Sequence, residues 1–367
     1  MVLPWLELGA WRDDVFLQEH QQPYLPLQMH PLAETQDPQM IALIGDGLKT
    51  SVAHLIFSAL RNTASHGKIV LQEVTNNREP LLLVADCELH QAAVLNKLLA
   101  RPVPGIINRH TFSWYPKLKE IPCSSLAHLV YSKLILPFST VVCIFADDFG
   151  GVDDVARILA AWTFTLRVRS NELPFSTYAC ILILIKWDTR LGFFDEKLEL
   201  ADFLKKLRRQ VNFYKSPDQQ LKDPALSDLE WEQLLEQRLG KVAILPLPTS
   251  CFDRSALYTV KKRILKESHT IQTYRARSQV AFLSCHFQSF FSLACDHFVN
   301  NLNEPFSFVQ ASRTANPVPA EFTFHISNFM ALIPMKYRDP QFVVSIVASA
   351  LYLDSFPCGA HCKLVPI

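Results

Sequence analysis

Glycine is scarce in this chain, at 10 of 367 residues, where about 7% is usual. Ligand loops built from glycine are therefore few, and a glycine beside a strand carries information. Charge of one sign is also lacking. Lys plus Arg total 36 and Asp plus Glu 35, a formal net charge of +1. That is not the footprint of a nucleic-acid binder, so nucleic acid is not an expected partner. Long apolar runs are missing too. The longest, 179–185 and 342–353, fall short of the roughly 20 residues of a membrane-spanning helix. The first residues carry no basic segment and reach Arg12-Asp13-Asp14 early, unlike a secretory signal. The nine cysteines are odd in number and scattered. Cys87, Cys143 and Cys180 lie in strand-like segments, as buried free thiols do. The expected setting is reducing and cytoplasmic.

What is present is core-forming material. Hydrophobic residues make up 49% of the chain and charged residues 19%, with 25 Phe. Wholesale disorder is excluded, and the length suits about two domains. Residues 1–39, polar and proline-rich, read as a lead-in strand or an N-terminal arm. From Met40 short apolar runs bounded by turn residues alternate with amphipathic stretches. Strands are expected at 40–44, 68–74, 81–85, 141–146, 178–185 and 242–246. Helices are expected at 51–62, 90–99, 124–134, 152–162, 194–213 and 226–239. Strands without polar alternation, separated by helices, predict a mostly parallel sheet covered on both faces. The expected fold is thus α/β over 40–250, a mostly parallel three-layer sheet. A helical region follows over 251–367: one or two long helices at 254–301, then 321–332 and 339–354, the last with Pro340 at a first helical position.

The chemistry candidate is the first loop, Leu43-Ile-Gly-Asp-Gly-Leu-Lys49-Thr50, running into a helix at Ser51. A phosphate-binding loop needs inward backbone N–H groups, a lysine to reach the phosphates and a hydroxyl for Mg²⁺. The helix N-terminus adds donors and the positive end of its dipole. Lys49 and Thr50 stand where that lysine and hydroxyl belong. The strict pattern fails, because Leu43 and Leu48 occupy its glycine positions while Gly45 and Gly47 are displaced. The competing reading is a tight turn with a surface lysine. Asp86 ends a strand about 40 residues later, either as a magnesium-supporting aspartate or as a helix cap. Lys186-Trp187-Asp188 ends another, either beside a base or as a charge pair at a strand end. Asp147-Asp-Phe-Gly150 is expected to make a turn, with Asp148 near the strand tips where α/β ligands sit.

This succession of strands and loops resembles small GTPases of the phosphate-loop class over about residues 40–248. The resemblance implies a sheet of the P-loop NTPase type, and GTP or ATP with Mg²⁺. Lys49 would meet the β/γ-phosphates, Thr50 would face the metal, Asp86 would hold a metal-bound water, and Asp188 would read the base. Gly45, Gly47, Ser51 and Lys186 complete the candidate set. The chain departs from the family at Leu89, where a switch glycine belongs, which puts γ-phosphate sensing in doubt, and at Ile185, where a polar base contact is missing. A second resemblance is to the amino-terminal region of large fungal multidomain proteins that carry a patatin-like phospholipase segment further along. It is carried by Val142-Cys-Ile-Phe-Ala-Asp-Asp-Phe-Gly-Gly151, Cys295-Asp-His-Phe298, Asn316-Pro-Val-Pro-Ala320 and Ser349-Ala-Leu-Tyr-Leu-Asp-Ser-Phe-Pro357. It implies a protein partner or further downstream domains.

The expected function is a degenerate P-loop NTPase or GTPase-like module that binds nucleotide weakly or serves as a regulatory scaffold. The alternative is a non-catalytic protein-interaction fragment of a patatin-like lipid hydrolase protein. An active acyl hydrolase is disfavoured, since no Gly-x-Ser-x-Gly elbow occurs. Cys358, His361 and Cys362, with Cys285, His286, Cys295 and His297, offer zinc-ligand types or plain helix core and tail. Ser284, His286 and Asp296 carry catalytic types with nothing to orient them. Seven basic residues face two acids over 253–278, reading as a solvated helix face or as a surface for an acidic partner, lipid or RNA.

Overall fold

A computed structural model of the chain describes residues 4–11, 14–30, 35–60, 67–74, 81–91, 106–114, 123–165, 174–188, 192–214, 228–249, 253–278, 280–315, 321–334 and 339–354. Among these residues nine strands form one sheet: β1 (Leu6–Trp11), β2 (Asp14–His20), β3 (Gln39–Ile44), β4 (Lys68–Glu73), β5 (Leu82–Cys87), β6 (Ile106–Thr111), β7 (Val141–Phe145), β8 (Cys180–Trp187) and β9 (Val242–Pro248). Their order is β6-β2-β1-β4-β5-β3-β7-β8-β9.

The expected mostly parallel, three-layer P-loop NTPase sheet is overturned by this order. The sheet is mixed. Every pairing from β6 through β2, β1 and β4 to β5 is antiparallel, and only β5, β3, β7, β8 and β9 pair in parallel. Antiparallel neighbours need no crossover helix, so a strand–helix–strand rhythm does not announce them. The segment 1–39 supplies β1 and β2, which form an antiparallel wing with β6. These strands escape an apolar-run criterion because they carry buried polar residues, among them Glu7, Gln18, Glu19, His20 and His110.

In the parallel half, alternate residues serve two cores, as the two-residue period of a strand dictates. Ile41, Leu43, Val141, Cys143, Leu182, Leu184 and Leu245 face one side. That side is covered by α1 (Gly47–Ile56) and by a long helix, Arg254–Arg277. The long helix presents Leu257, Val260, Ile264 and Ile271 to the sheet, a stripe at helical spacing. Each such side chain contributes about 1.5–3 kcal/mol by leaving water. Met40, Ala42, Ile44, Val142, Ile144, Ile181 and Ile183 face the other side. There they meet α2 (Cys123–Val130, continued by a π-turn to Phe138), α3 (Val152–Thr165), α4 (Glu196–Tyr214) and α5 (Asp228–Leu239). The long helix is α6 in chain order, followed by α7 (Phe287–Asn300), α8 (Phe308–Ala315), α9 (Phe322–Leu332) and α10 (Pro340–Asp354).

The wing is closed by α7. Trp5 packs on Phe291 with ring centroids 4.2 Å apart, and Phe138 lies 5.0 Å from Phe291. The density of phenylalanines at 282–308 is thus an aromatic seam joining α7 and α8 to β1 and α2. Such ring pairs add about 0.5–1.5 kcal/mol each beyond their area. No helix among the described residues is long and apolar enough to cross a membrane. The helix expected at 90–99 and the tail at 358–362 lie largely or wholly outside the described residues; Leu89–Gln91 form a short 3₁₀ turn.

Candidate functional site

The amides of the β3–α1 loop are occupied from within the chain. The peptide N–H groups of Asp46, Leu48 and Lys49 point inward at the start of α1. All three are taken by the carboxylate of Asp148, at 2.6, 2.7 and 2.9 Å. Four N–H groups at a helix start lack partners within the helix, and an anion there gains from both hydrogen bonds and dipole. A phosphate would use those donors; here a side chain of the same chain uses them. Asp148 reaches back because the turn after β7 ends in two glycines with left-handed backbones, Gly150 (φ 94°) and Gly151 (φ 112°). Gly45 admits it: a Cβ at that position would stand 2.5 Å from Asp148 Oδ2 and 2.9 Å from the Lys49 Cβ. Gly47 has no such duty, since nothing lies within 4 Å of a Cβ built there.

Lys49 points away from this cradle. Its side chain is fully buried, and its ammonium is ion-paired with Asp86 and, at 2.7 Å, with Glu88. Thr50 Oγ1 donates to Glu88 Oε1 at 3.3 Å, and Ser51 Oγ donates to the Gly47 carbonyl at 2.7 Å. Asp86 is therefore the partner of Lys49. Burial pushes its carboxyl above the usual range, against the pull of the lysine. Among the described residues of this cluster, Lys49 is the one cation, set against the carboxylates of Asp86, Glu88 and Asp148. A polyphosphate would enter against that balance.

The sequence candidates thus divide. Gly45, Lys49, Thr50 and Asp86 come together, with Glu88 and Asp148 completing the cluster. Gly47 and Ser51 are exposed at the first turn of α1. Lys186 and Asp188 lie at the end of β8, two strands from β3. The Asp147 carboxylate accepts from the Lys186 N–H at 3.0 Å, which ties this strand end to the turn that carries Asp148. Glu88 was legible only as a polar residue after a strand. Asp148 had a signal in the Asp-Asp-Phe-Gly-Gly turn, though not its target. Beside the cluster, His90 and His128 stack with centroids 6.4 Å apart, and His90 packs on Phe149 at 4.7 Å. Burial lowers both imidazoles to about 4, so both are neutral at neutral pH.

The other sequence candidates scatter. Ser284 Oγ donates to the Gln36 carbonyl. Asp296 meets His110 rather than His286. On the long basic helix α6, Arg263 pairs with Glu196 and Glu267, and Arg275 donates to the carbonyls of Thr177 and Ser139.

A groove of about 1110 Å³ runs between α4 and α6 along β9, floored by Trp187, Phe194, Leu200, Leu247 and Val260. Phe193 stands at its mouth, 94% exposed. Of the acids on its rim, Asp195 and Asp253 are engaged as caps of α4 and α6, and Glu196 is held by Arg263. Lys197, Lys262 and Lys266 remain on the lining. Comparison with protein-family models finds no match, and comparison with curated proteins finds none either.

Two outcomes follow from the geometry. Gly45→Ala is expected to destabilise the fold by more than about 1 kcal/mol, because a backbone-fixed carboxylate contact must shift, while Gly47→Ala is neutral within about 0.5 kcal/mol; urea unfolding of the two variants checks the contrast. The histidines set a pH dependence. Their folded values lie below the ordinary 6.5, so their contribution is complete above pH 6.5 and is lost as pH falls toward 4. His128→Phe should flatten that acid limb in a series of melting curves, and an unchanged slope would contradict the assignment.

Proposed function

We propose that this chain is a nucleotide-free protein-interaction module. The observation that supports it is the Asp148 carboxylate seated on the Asp46, Leu48 and Lys49 amides, with the ammonium of Lys49 committed to Asp86 and Glu88. The donors that would cradle phosphate are satisfied, and the lysine that would reach it is buried behind them. Lys49 then acts as a structural counter-ion. Its removal leaves buried carboxylates unpaired, a loss of about 3–5 kcal/mol, whatever nucleotide is added.

The surface that suits a partner is the groove beside β9. That strand is a sheet edge with Pro246 and Pro248 in it, and proline has no N–H to offer an added strand. The occupant proposed is therefore a helical segment, apolar on one face and acidic at its flanks, matching the apolar floor and the Lys197, Lys262 and Lys266 rim.

Thermal melts with GTP or ATP and Mg²⁺ should show no stabilisation of the unmodified chain. Asp148→Ala vacates the cradle, so it should become stabilised by inorganic phosphate while the unmodified chain does not. A saturable stabilisation of the unmodified chain by either nucleotide would end this reading. For the groove, a synthetic helical peptide with leucines on one face and glutamates at both ends is the probe. Its binding, read by fluorescence anisotropy, should weaken about tenfold in the double variant Lys262→Glu, Lys266→Glu and fall with salt. Failure of the peptide to bind, or equal binding to both proteins, rejects the proposed occupant.

A further inference from the structure

The polar residues buried in the antiparallel wing are not scattered. Glu19 on β2 and His110 on β6 point to the same side, because Leu17 lies opposite His110 and Glu19 opposite Asn108. The register shifts at Glu19/His20, and such irregularities re-aim side chains. From the other side α7 presents Ser292, Cys295 and Asp296, three and four residues apart and so on one face. Glu19, His110 and Cys295 are all buried, and a ligand atom from each lies within 4.8 Å of the others.

We propose that Glu19, His110 and Cys295 bind one zinc ion, with Asp296 orienting the imidazole from outside. The donor set is a carboxylate oxygen, an imidazole nitrogen and a sulfur, the three atom types that zinc takes from proteins. Spacing supports it: His110 Nε2 lies 3.2 Å from Glu19 Oε2, and a tetrahedron with zinc bonds of about 2.0–2.3 Å has edges of about 3.3–3.7 Å. The sulfur lies within 4.8 Å of the other two atoms, so it closes onto them by no more than about 1.5 Å. A second, independent observation concerns the far side of the ring. His110 Nδ1 meets Asp296 Oδ1 at 2.6 Å, the carboxylate–histidine arrangement that fixes the tautomer of metal-binding imidazoles. With Nδ1 held by Asp296, Nε2 faces Glu19 across a shared proton, and loss of that proton leaves its lone pair for the metal. Asp296 itself is 63% exposed at its side chain, which opens a way in beside an otherwise closed site.

The remaining contacts hold the carboxylate still. Tyr24 donates to Glu19 Oε1, Asn108 Nδ2 donates to Oε2 at 3.3 Å, and Ser292 Oγ lies 2.8 Å from both Glu19 oxygens. A water molecule takes the fourth zinc position. The ion replaces the proton between His110 and Glu19 and the thiol proton of Cys295, releasing both to solvent. Its effect is to pin α7 to β2 and β6, elements far apart in the chain.

The test uses the full chain, dialysed against chelator and titrated with Co²⁺ as a spectroscopic stand-in. One equivalent should bind, with a near-ultraviolet thiolate-to-cobalt band and visible bands of tetrahedral intensity. Zinc should displace it and raise the melting temperature. Cys295→Ser should abolish the near-ultraviolet band, and Asp296→Asn should weaken binding by about 10–100-fold. A folded chain that gives no band overturns the proposal. So does a band that persists in Cys295→Ser, which would place the metal on other cysteines. Should Cys295→Ser fail to fold, Asp296→Asn decides: its side chain is at the surface, and unchanged cobalt affinity in that variant rejects the site. The overturned proposal leaves a hydrogen-bonded clip only.

Discussion

The seat of one carboxylate on one helix end sets how this molecule can be understood. Asp148 joins β7 to the start of α1 through three short hydrogen bonds, and the neighbouring features exist in relation to it. Gly45 is small so that the carboxylate can approach. Gly150 and Gly151 adopt left-handed backbones so that the turn can return. Lys49, freed from facing an anion at the loop, is drawn into the sheet by Asp86 and Glu88. A loop of this shape is a general device for meeting negative charge, and it does so whether the charge arrives as a ligand or is built into the chain. Here the built-in anion has the advantage of tethering: it loses little freedom on docking, whereas a diffusing phosphate would have to displace it.

The parallel half of the sheet was readable because its strands are buried on both faces and so are apolar throughout. Runs at 40–44, 141–146 and 178–185 correspond to β3, β7 and β8. The helices following β7 and β8 have ends within three residues of those expected, whereas the one expected at 51–62 runs Gly47–Ile56, starting four and ending six residues earlier. The wing was not readable for the opposite reason. β1 and β2 carry Glu7, Gln18, Glu19 and His20 in buried positions, and such residues look like surface until their partners are known. Those partners are remote: Glu19 meets Tyr24 nearby but also His110 and Ser292. The same limit applied to the loop site. Lys49, Thr50 and Asp86 could be singled out from spacing, but whether the lysine faced outward or inward depended on Glu88, and the state of the amides depended on Asp148. Neither dependence is local.

Polar burial and apolar burial divide the work between the two halves. On the parallel side, α1 and α6 rest on aliphatic residues, and position is set by shape. On the wing side, α7 is placed by rings and by the Glu19–His110–Asp296 contacts. Charged groups taken out of water are costly unless every lone pair and proton is met, and the several donors around Glu19 satisfy that demand. The wing is therefore specified sharply, since a shift of α7 by one turn would strand a buried carboxylate.

The aromatic seam also has a meaning for synthesis. Glu19 and Ser292, which meet across it, are separated by 273 positions, and Trp5 rests on Phe291. A chain leaving the ribosome at roughly 5–20 residues per second exposes the tryptophan and its strand for many seconds before the covering helix emerges. Until then the amino-terminal hairpin has an uncovered apolar flank, and its pairing with β4 and β6 waits on later segments as well. The later-made helix α7 thus acts as the keystone for the earlier-made strands, and any pause in translation before α7 would lengthen the interval in which those strands can stick to a neighbour instead.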